Sequence, residues 1–288
     1  MIILHKTVVS CKICSEMAKE VFTKRILNKY EVKYYQCPRC AFLFTEDAFW
    51  LDEAYTDALS VIDTGIMQRN LDMVLEVNVM IHTIFALKDN NTKNTFFLDY
   101  GGGYGIFTRM MRDLGYQWYW SDKYAQNLVA RKFEYNGEKP IFLITAFELF
   151  EHLPNPIEEL KKIFNISKTV IFSTLLYDDE YNYQKKGDWW YYSVDTGQHI
   201  SFYSKKTLEI IASLFHLHYC KISESLHIIT DKKIKKIDLL KYKIFHKYFR
   251  EIAYRKQCKY SLAFEDMNLI IKESNEDYKK RLTMKSQP

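Results

Sequence analysis

The stretch "FFLDYGGGYGIF", residues 96 to 107, constrains this chain more than any other. An apolar run ends in Asp99 and Tyr100, four glycines follow within five positions, and apolar residues resume at Ile106. Run, breaker and restart predict a buried strand, a tight turn and a helix. Glycine admits positive φ and lets a ligand reach bare backbone, and the new helix offers unpaired N–H groups there. The spacing is G-x-G-x-G, with Ile106 where a dinucleotide fingerprint needs its third glycine. Asp99 argues the same way. A phosphate about 4 Å from it would be repelled by roughly 4 kcal/mol at an effective dielectric near 20, whereas a cation would be attracted by a similar amount.

S-adenosylmethionine meets these demands, because its methionine end carries an ammonium and its sulfur is positive. Asp122, in "WYWSDKY", lies 19 residues after Gly103 at the expected end of the next strand. A carboxylate there can accept both ribose hydroxyl protons. With "LDYGGGYG", Asp122 and "FLITAFELFEHLPNP" (142–156), residues 95 to 230 resemble the class I S-adenosylmethionine-dependent methyltransferases. The resemblance implies that Asp99, Tyr100, Gly101, Gly102, Gly103, Gly105, Asp122, Phe147 and Glu148 border the cofactor. The implied fold is α/β: a Rossmann-like sheet with helices on both faces.

The periodicity agrees with that fold. Strands are expected near 95–100, 116–121, 141–147, 168–174, 217–223 and 225–230, with helices near 105–114, 124–134, 156–164 and 204–215. The last two strands suggest an antiparallel hairpin, and no clear strand falls between Asp122 and Ile141. Ahead of this core, residues 68–87 repeat apolar positions at Leu71, Val74, Leu75, Met80, Ile81 and Ile84, an amphipathic helix that either covers the cofactor or packs on the sheet. The organisation expected is a zinc ribbon (1–50), a helical connector or lid (51–94), the core (95–230) and a basic helical extension (231–288).

The ribbon rests on four of the six cysteines. "CKIC" and "CPRC" place Cys11, Cys14, Cys37 and Cys40 as C-x2-C, 22 residues, C-x2-C. Two such knuckles complete a tetrahedron around one structural Zn2+ with no open position. Cys220 and Cys258 stand alone. No apolar run of 18 residues and no h-region are seen, so the reading is cytoplasmic.

Between the strand ending at Thr174 and Ser204 lies a long irregular stretch rich in aromatics. Trp189, Trp190, Tyr191 and Tyr192 are candidates to stack on a sugar or base, or to form a lid packed on the core. His199 in "GQHISFYS" is the candidate general base, because the segment resembles the H-x-S-Y-F-S element of sugar C-methyltransferases, which also carry a four-cysteine amino-terminal domain. His152, after Glu151, is the second candidate, or a brace for its loop. Asp178, Asp179 and Glu180 are a possible magnesium site or a solvated turn.

Net charge is +5, yet Lys232 to Lys259 holds eleven Lys/Arg against two acids. Ile237, Leu240, Ile244, Phe245, Tyr248 and Ile252 share one helical face there, suited to docking on the core or to an anionic surface. The functional expectation is O-methylation of a sugar, free as a nucleotide sugar or within a surface polysaccharide or glycolipid. The alternatives are sugar C-methylation, RNA base methylation through ribbon and basic tail, or a binding or scaffold protein with the same fold.

Overall fold

The apolar run at 96–100 becomes β5 (Phe96–Tyr100), the strand on which the rest of the core is built. The computed structural model describes residues 8–55, 65–87, 94–177 and 189–257, together with Lys272. Strand β5 pairs in parallel with β6 (Gln117–Ser121) on one side and β7 (Ile141–Ala146) on the other. Beyond β7 lie β8 (Val170–Ser173), parallel, and then the hairpin of β11 (Leu226–Thr230) and β10 (His218–Lys221), antiparallel. The order is β10-β11-β8-β7-β5-β6. The chain leaves β5 toward β6 and then crosses to β7 on the opposite side. That reversal opens a crevice at the carboxyl ends of β5 and β7, where ligands of open α/β sheets sit.

Side chains alternate between the two faces of this sheet with period two. Phe97, Leu143, Ile171 and Ile228 pack under α2 (Ile66–Thr83) and α3 (Ile106–Asp113). Leu98, Ile144, Val170, Phe172 and Ile229 pack under α4 (Pro156–Ile166) and α5 (Lys205–Leu214). Pro156 starts α4 where its missing N–H costs nothing, and Ser204 caps α5 by accepting from the Thr207 backbone N–H. The expected α/β architecture stands.

The helix expected at 124–134 does not form. Asn127 is the reason: its amide donates to the Ala130 carbonyl and to Glu134 Oε1, both at 2.8 Å, and its Oδ1 accepts the Ala130 N–H at 2.9 Å. A side chain that satisfies local backbone groups removes the incentive for helical bonds. The missing strand between Asp122 and Ile141 survives as a single parallel bridge, Trp120 to Glu134.

The cysteine-bearing segment folds into a second sheet of β1 (Val8–Ser10), β2 (Met17–Ile26), β3 (Tyr30–Gln36) and β4 (Leu43–Thr45). Its fifth strand, β9 (Ser201–Phe202), comes from the far end of the core and pairs with β4. Cys11, Cys37, Cys40, Phe42 and Phe44 share one buried cluster with Leu160, Phe172 and Leu208. A short α1 (Leu51–Ala54) follows the ribbon.

The basic helix α6 (Lys236–Gln257) docks on α2, with the face opposite to that expected. Buried Tyr242 donates to Glu76, and His246 Nε2 lies 2.6 Å from Glu76 Oε1. The apolar stripe points outward: Ile237, Leu240, Ile244 and Phe245 are 45–52% exposed. Polar anchors on α2, unseen in a one-dimensional pattern, decided which face turned inward. The side chains of Tyr248 and Ile252, and all of Cys258, Asp178, Asp179 and Glu180, lie outside the described residues. Among the described residues, no helix is long and apolar enough to cross a membrane.

Candidate active site

A cleft of about 1050 Å³ opens at the switch point. That is the upper end for small-molecule sites, and leaves room for a cofactor and an acceptor together. The glycine turn forms its floor. Gly101 and Gly102 donate to the Ser121 carbonyl at 2.8 and 3.1 Å, which folds the turn back over β6. Gly102 tolerates no side chain, because a Cβ there would meet Asp99 Oδ2 and Trp120 Cδ1 at 2.7 Å. Gly103 has φ +53 and nothing within 4 Å of where a Cβ would stand, so its bare backbone borders open space.

Two acids flank this turn. Asp99 is buried beneath it, accepting from Thr145 Oγ1 at 2.9 Å and Thr108 Oγ1 at 3.2 Å. Burial pushes its carboxyl up to about 7, the two hydroxyls opposing. A cation arriving above the turn would restore the charge. Asp122 braces the turn: its Oδ2 accepts the Gly103 N–H at 2.9 Å and its Oδ1 accepts the Tyr124 and Ala125 N–H groups at 2.7 Å. Tyr100 reaches outward and donates to Glu159.

The opposite wall comes from the loop after β7 and from the segment before β9. Glu148 stands at φ +48, costly for a residue with a Cβ, and Ser173 Oγ holds it by donating to Oε1 at 2.6 Å and accepting its N–H at 2.8 Å. Phe147 packs edge-on against Phe107 with centroids 5.0 Å apart. His152 and His199 face each other as a perpendicular pair at 4.8 Å. His199 Nδ1 donates to the Tyr191 carbonyl at 2.6 Å, which leaves the Nε2 lone pair unused by that bond. His152 Nδ1 lies between the Tyr55 hydroxyl (2.9 Å) and the Gln198 carbonyl (3.1 Å). Burial lowers both imidazoles; His152, also facing His199, is pushed down to about 3. Glu151, fully buried, accepts from the Tyr191 hydroxyl at 2.7 Å, and burial with Glu148 nearby pushes it up to about 8.

The ribbon positions His199. Ile200 N–H donates to the Glu151 carbonyl while its own carbonyl accepts the Thr45 N–H from β4. Trp50 Nε1–H donates to the Gly197 carbonyl at 2.8 Å, and Gln198 reaches the Ala54 carbonyl at 2.8 Å. The segment before β9 is thereby pinned on both sides.

Within the ribbon the four cysteine sulfurs converge, Cys11 to Cys40 and Cys14 to Cys37 each at 3.5 Å. Four sulfurs bound tetrahedrally at about 2.3 Å from a zinc stand about 3.8 Å apart, so the cluster could hold that ion. The Ile13 and Cys40 N–H groups point at Cys11 and Cys37 sulfurs at 3.4 Å, as knuckle turns do. Hydrogen bonding from Cys40 already holds the Cys11 thiol down, to about 5.

All nine expected cofactor-side residues except Gly105 line the cleft, as do His152 and His199. Gly105 instead starts α3 at φ +84, packed against Asn127 and Ala130. The aromatic candidates do not line it. Trp189 and Tyr192 pack with Tyr34 and Phe202 under the ribbon sheet, and Trp190 is 74% exposed away from the cleft. Burying those rings closes the ribbon's second core, which outweighs offering them to a ligand. In their place the cleft holds Tyr55 and Tyr124, stacked at 5.6 Å, and Arg69, Asn70 and Met73 from the start of α2. The apolar repeat of α2 runs instead through Leu71, Val74, Leu75, Met80, Ile81 and Ile84, none of which lines the cleft. Nothing local marks Tyr55.

The sheet order and the switch-point cleft define a Rossmann-like domain. Residues 77–216 match the family model described as a methyltransferase domain. A methyltransferase domain thus accounts for the sheet and the cleft walls between α2 and α5. Solved structures similar to it include an O-methyltransferase family 2 protein from Planctomyces limnophilus in complex with apigenin (15% identity, 63% of this chain, 65% of that one, TM-score 0.40). Others are the plantazolicin methyltransferase BpumL with SAH (12%, 73% and 90%, 0.44) and magnesium protoporphyrin IX methyltransferase from Synechocystis (12%, 62% and 90%, 0.37). The chain thus spans just under two thirds of the first of these. No curated protein sequence matches it.

Proposed function

We propose that this enzyme methylates a hydroxyl oxygen of a sugar, carried on a lipid or on a nucleotide. The observation that carries the reading is the His199 tautomer: with Nδ1–H committed to the Tyr191 carbonyl, Nε2 offers a lone pair on a side chain that lines the cleft. The acceptor oxygen attacks the sulfonium methyl carbon, the carbon–sulfur bond breaks with its electron pair going to sulfur, and Nε2 takes the hydroxyl proton. Asp99 attracts the cofactor's ammonium, and Asp122 holds Gly103 and the ribose edge. Support for a sugar acceptor comes from the Tyr55–Tyr124 stack beside Asp122, since aromatic faces pack on the C–H faces of sugars. The four cysteines hold a structural zinc that steadies the acceptor side.

The outward stripe of α6, with exposed Lys236, Lys241, Lys243 and Lys247 beside it, suits an anionic lipid surface, and so favours a lipid-linked acceptor. The test is transfer of labelled methyl from S-adenosylmethionine to lipid-linked glycans and nucleotide sugars. His199→Gln should lower kcat by about 10²- to 10⁴-fold while cofactor affinity is kept. Near-normal turnover in that variant would move the base elsewhere.

A further inference from the structure

Three side chains at the acceptor end carry lone pairs that the protein leaves unspent. Glu151 is fully buried, yet only Oε1 has a partner; Oε2 accepts nothing. A buried carboxylate oxygen left so costs about 1–3 kcal/mol unless something else satisfies it. His199 keeps its Nε2 lone pair for the reason given above. The Gln198 carbonyl can only accept, so a proton on His152 Nδ1 satisfies it and leaves Nε2 of that ring a lone pair too. One donor atom from each of Glu151, His152 and His199 lies within 4.8 Å of the others.

We propose that Glu151, His152 and His199 hold a divalent cation at the acceptor end of the cleft. Two imidazoles and one carboxylate favour an ion of the manganese-to-zinc range over magnesium or calcium, which prefer all-oxygen shells. The supporting groups are of the kind that metal ligands have: the Tyr191 hydroxyl donates to Glu151, and the Tyr191 carbonyl fixes the His199 ring. Three protein ligands leave coordination positions open, and since both histidines line the cleft, those positions are open to the acceptor. The ion would take one hydroxyl and its neighbour on the same sugar. Coordination lowers the hydroxyl's pKa, so its proton leaves for water, while in the ion-free protein His199 takes it directly.

This inference rests on the far wall being the acceptor side, and its test separates the two. Zinc-loaded protein is titrated with Mn2+, which thiolates bind poorly, and free Mn2+ is followed by its electron paramagnetic resonance signal. One Mn2+ per chain should bind saturably, at least about tenfold more weakly in His199→Ala and in Glu151→Gln. Calorimetry with S-adenosylmethionine on both variants checks the fold, and His199→Ala, at the cleft surface, should keep its cofactor affinity. No saturable Mn2+ binding, or unchanged affinity in His199→Ala, would overturn the ion site. Ion-free methyl transfer in that case would leave the base role of His199 standing, whereas loss of cofactor binding in the wild type would sink the reading of the whole cleft.

Discussion

At Asp99 burial favours the protonated carboxyl, whereas the proposed cofactor ammonium would favour the carboxylate. The Asp99 carboxyl, ordinarily ionised from pH 3.8 upward, is held protonated up to about pH 7 by burial. The sign follows directly: the empty protein binds this proton below pH 7, and a cationic cofactor must expel it. Affinity for S-adenosylmethionine should therefore be full above pH 7 and fall by about tenfold per unit below it, measured by calorimetry in buffers of different ionisation enthalpy. A flat profile from pH 8 to 5.5 would remove the ammonium from Asp99. Gly102 is the other decisive position, since an added methyl would meet Asp99 and Trp120 at 2.7 Å. Gly102→Ala should cost about 1–3 kcal/mol of stability, seen in urea unfolding, and weaken cofactor binding more than tenfold. Both residues were legible in the sequence, because a glycine run after an acid-ended strand has few structural uses. The role of Asp122 was only half legible: its place was set by spacing, whereas its bond to the Gly103 N–H depends on the fold.

At the scale of elements, the link between the ribbon and the histidine-bearing wall of the cleft runs through β9. Two residues, Ser201 and Phe202, join the ribbon sheet just after His199, and Thr207 of α5 donates to the Cys40 carbonyl at 2.9 Å. Losing a cysteine should thus be felt beyond the metal. Cys37→Ser should release zinc, destabilise the chain by several kcal/mol and lower turnover, although no cysteine lines the cleft. Zinc content by mass spectrometry, together with kcat, checks this, and full turnover in a zinc-free variant would contradict the coupling. Spacing of the cysteines made the ribbon legible, and period-two runs made β5 to β8 legible. The helix expected at 124–134 failed because Asn127 satisfies backbone groups locally, a choice that apolar spacing does not register.

For the whole molecule, α6 presents the surface that the core does not explain. It is fastened to α2 through Tyr242, His246 and Glu76, and α2 in turn lends Arg69, Asn70 and Met73 to the cleft. The protein should co-sediment with vesicles rich in anionic lipid, less so in Leu240→Asp with Ile244→Asp, and not with neutral vesicles. Equal binding to both kinds would leave the stripe unassigned. Local chemistry determined what each segment became: strands where apolar residues alternate, a turn where glycines cluster, converging sulfurs where cysteines pair. Which side chains share the cleft was decided only in three dimensions. Tyr55, Tyr124, His152 and His199 are up to 144 residues apart in sequence, and competition for buried space sent Trp189 and Tyr192 into the ribbon's core while leaving Tyr55 and Tyr124 in the cleft. Burial energy is a property of the packed whole, and no window of sequence contains it.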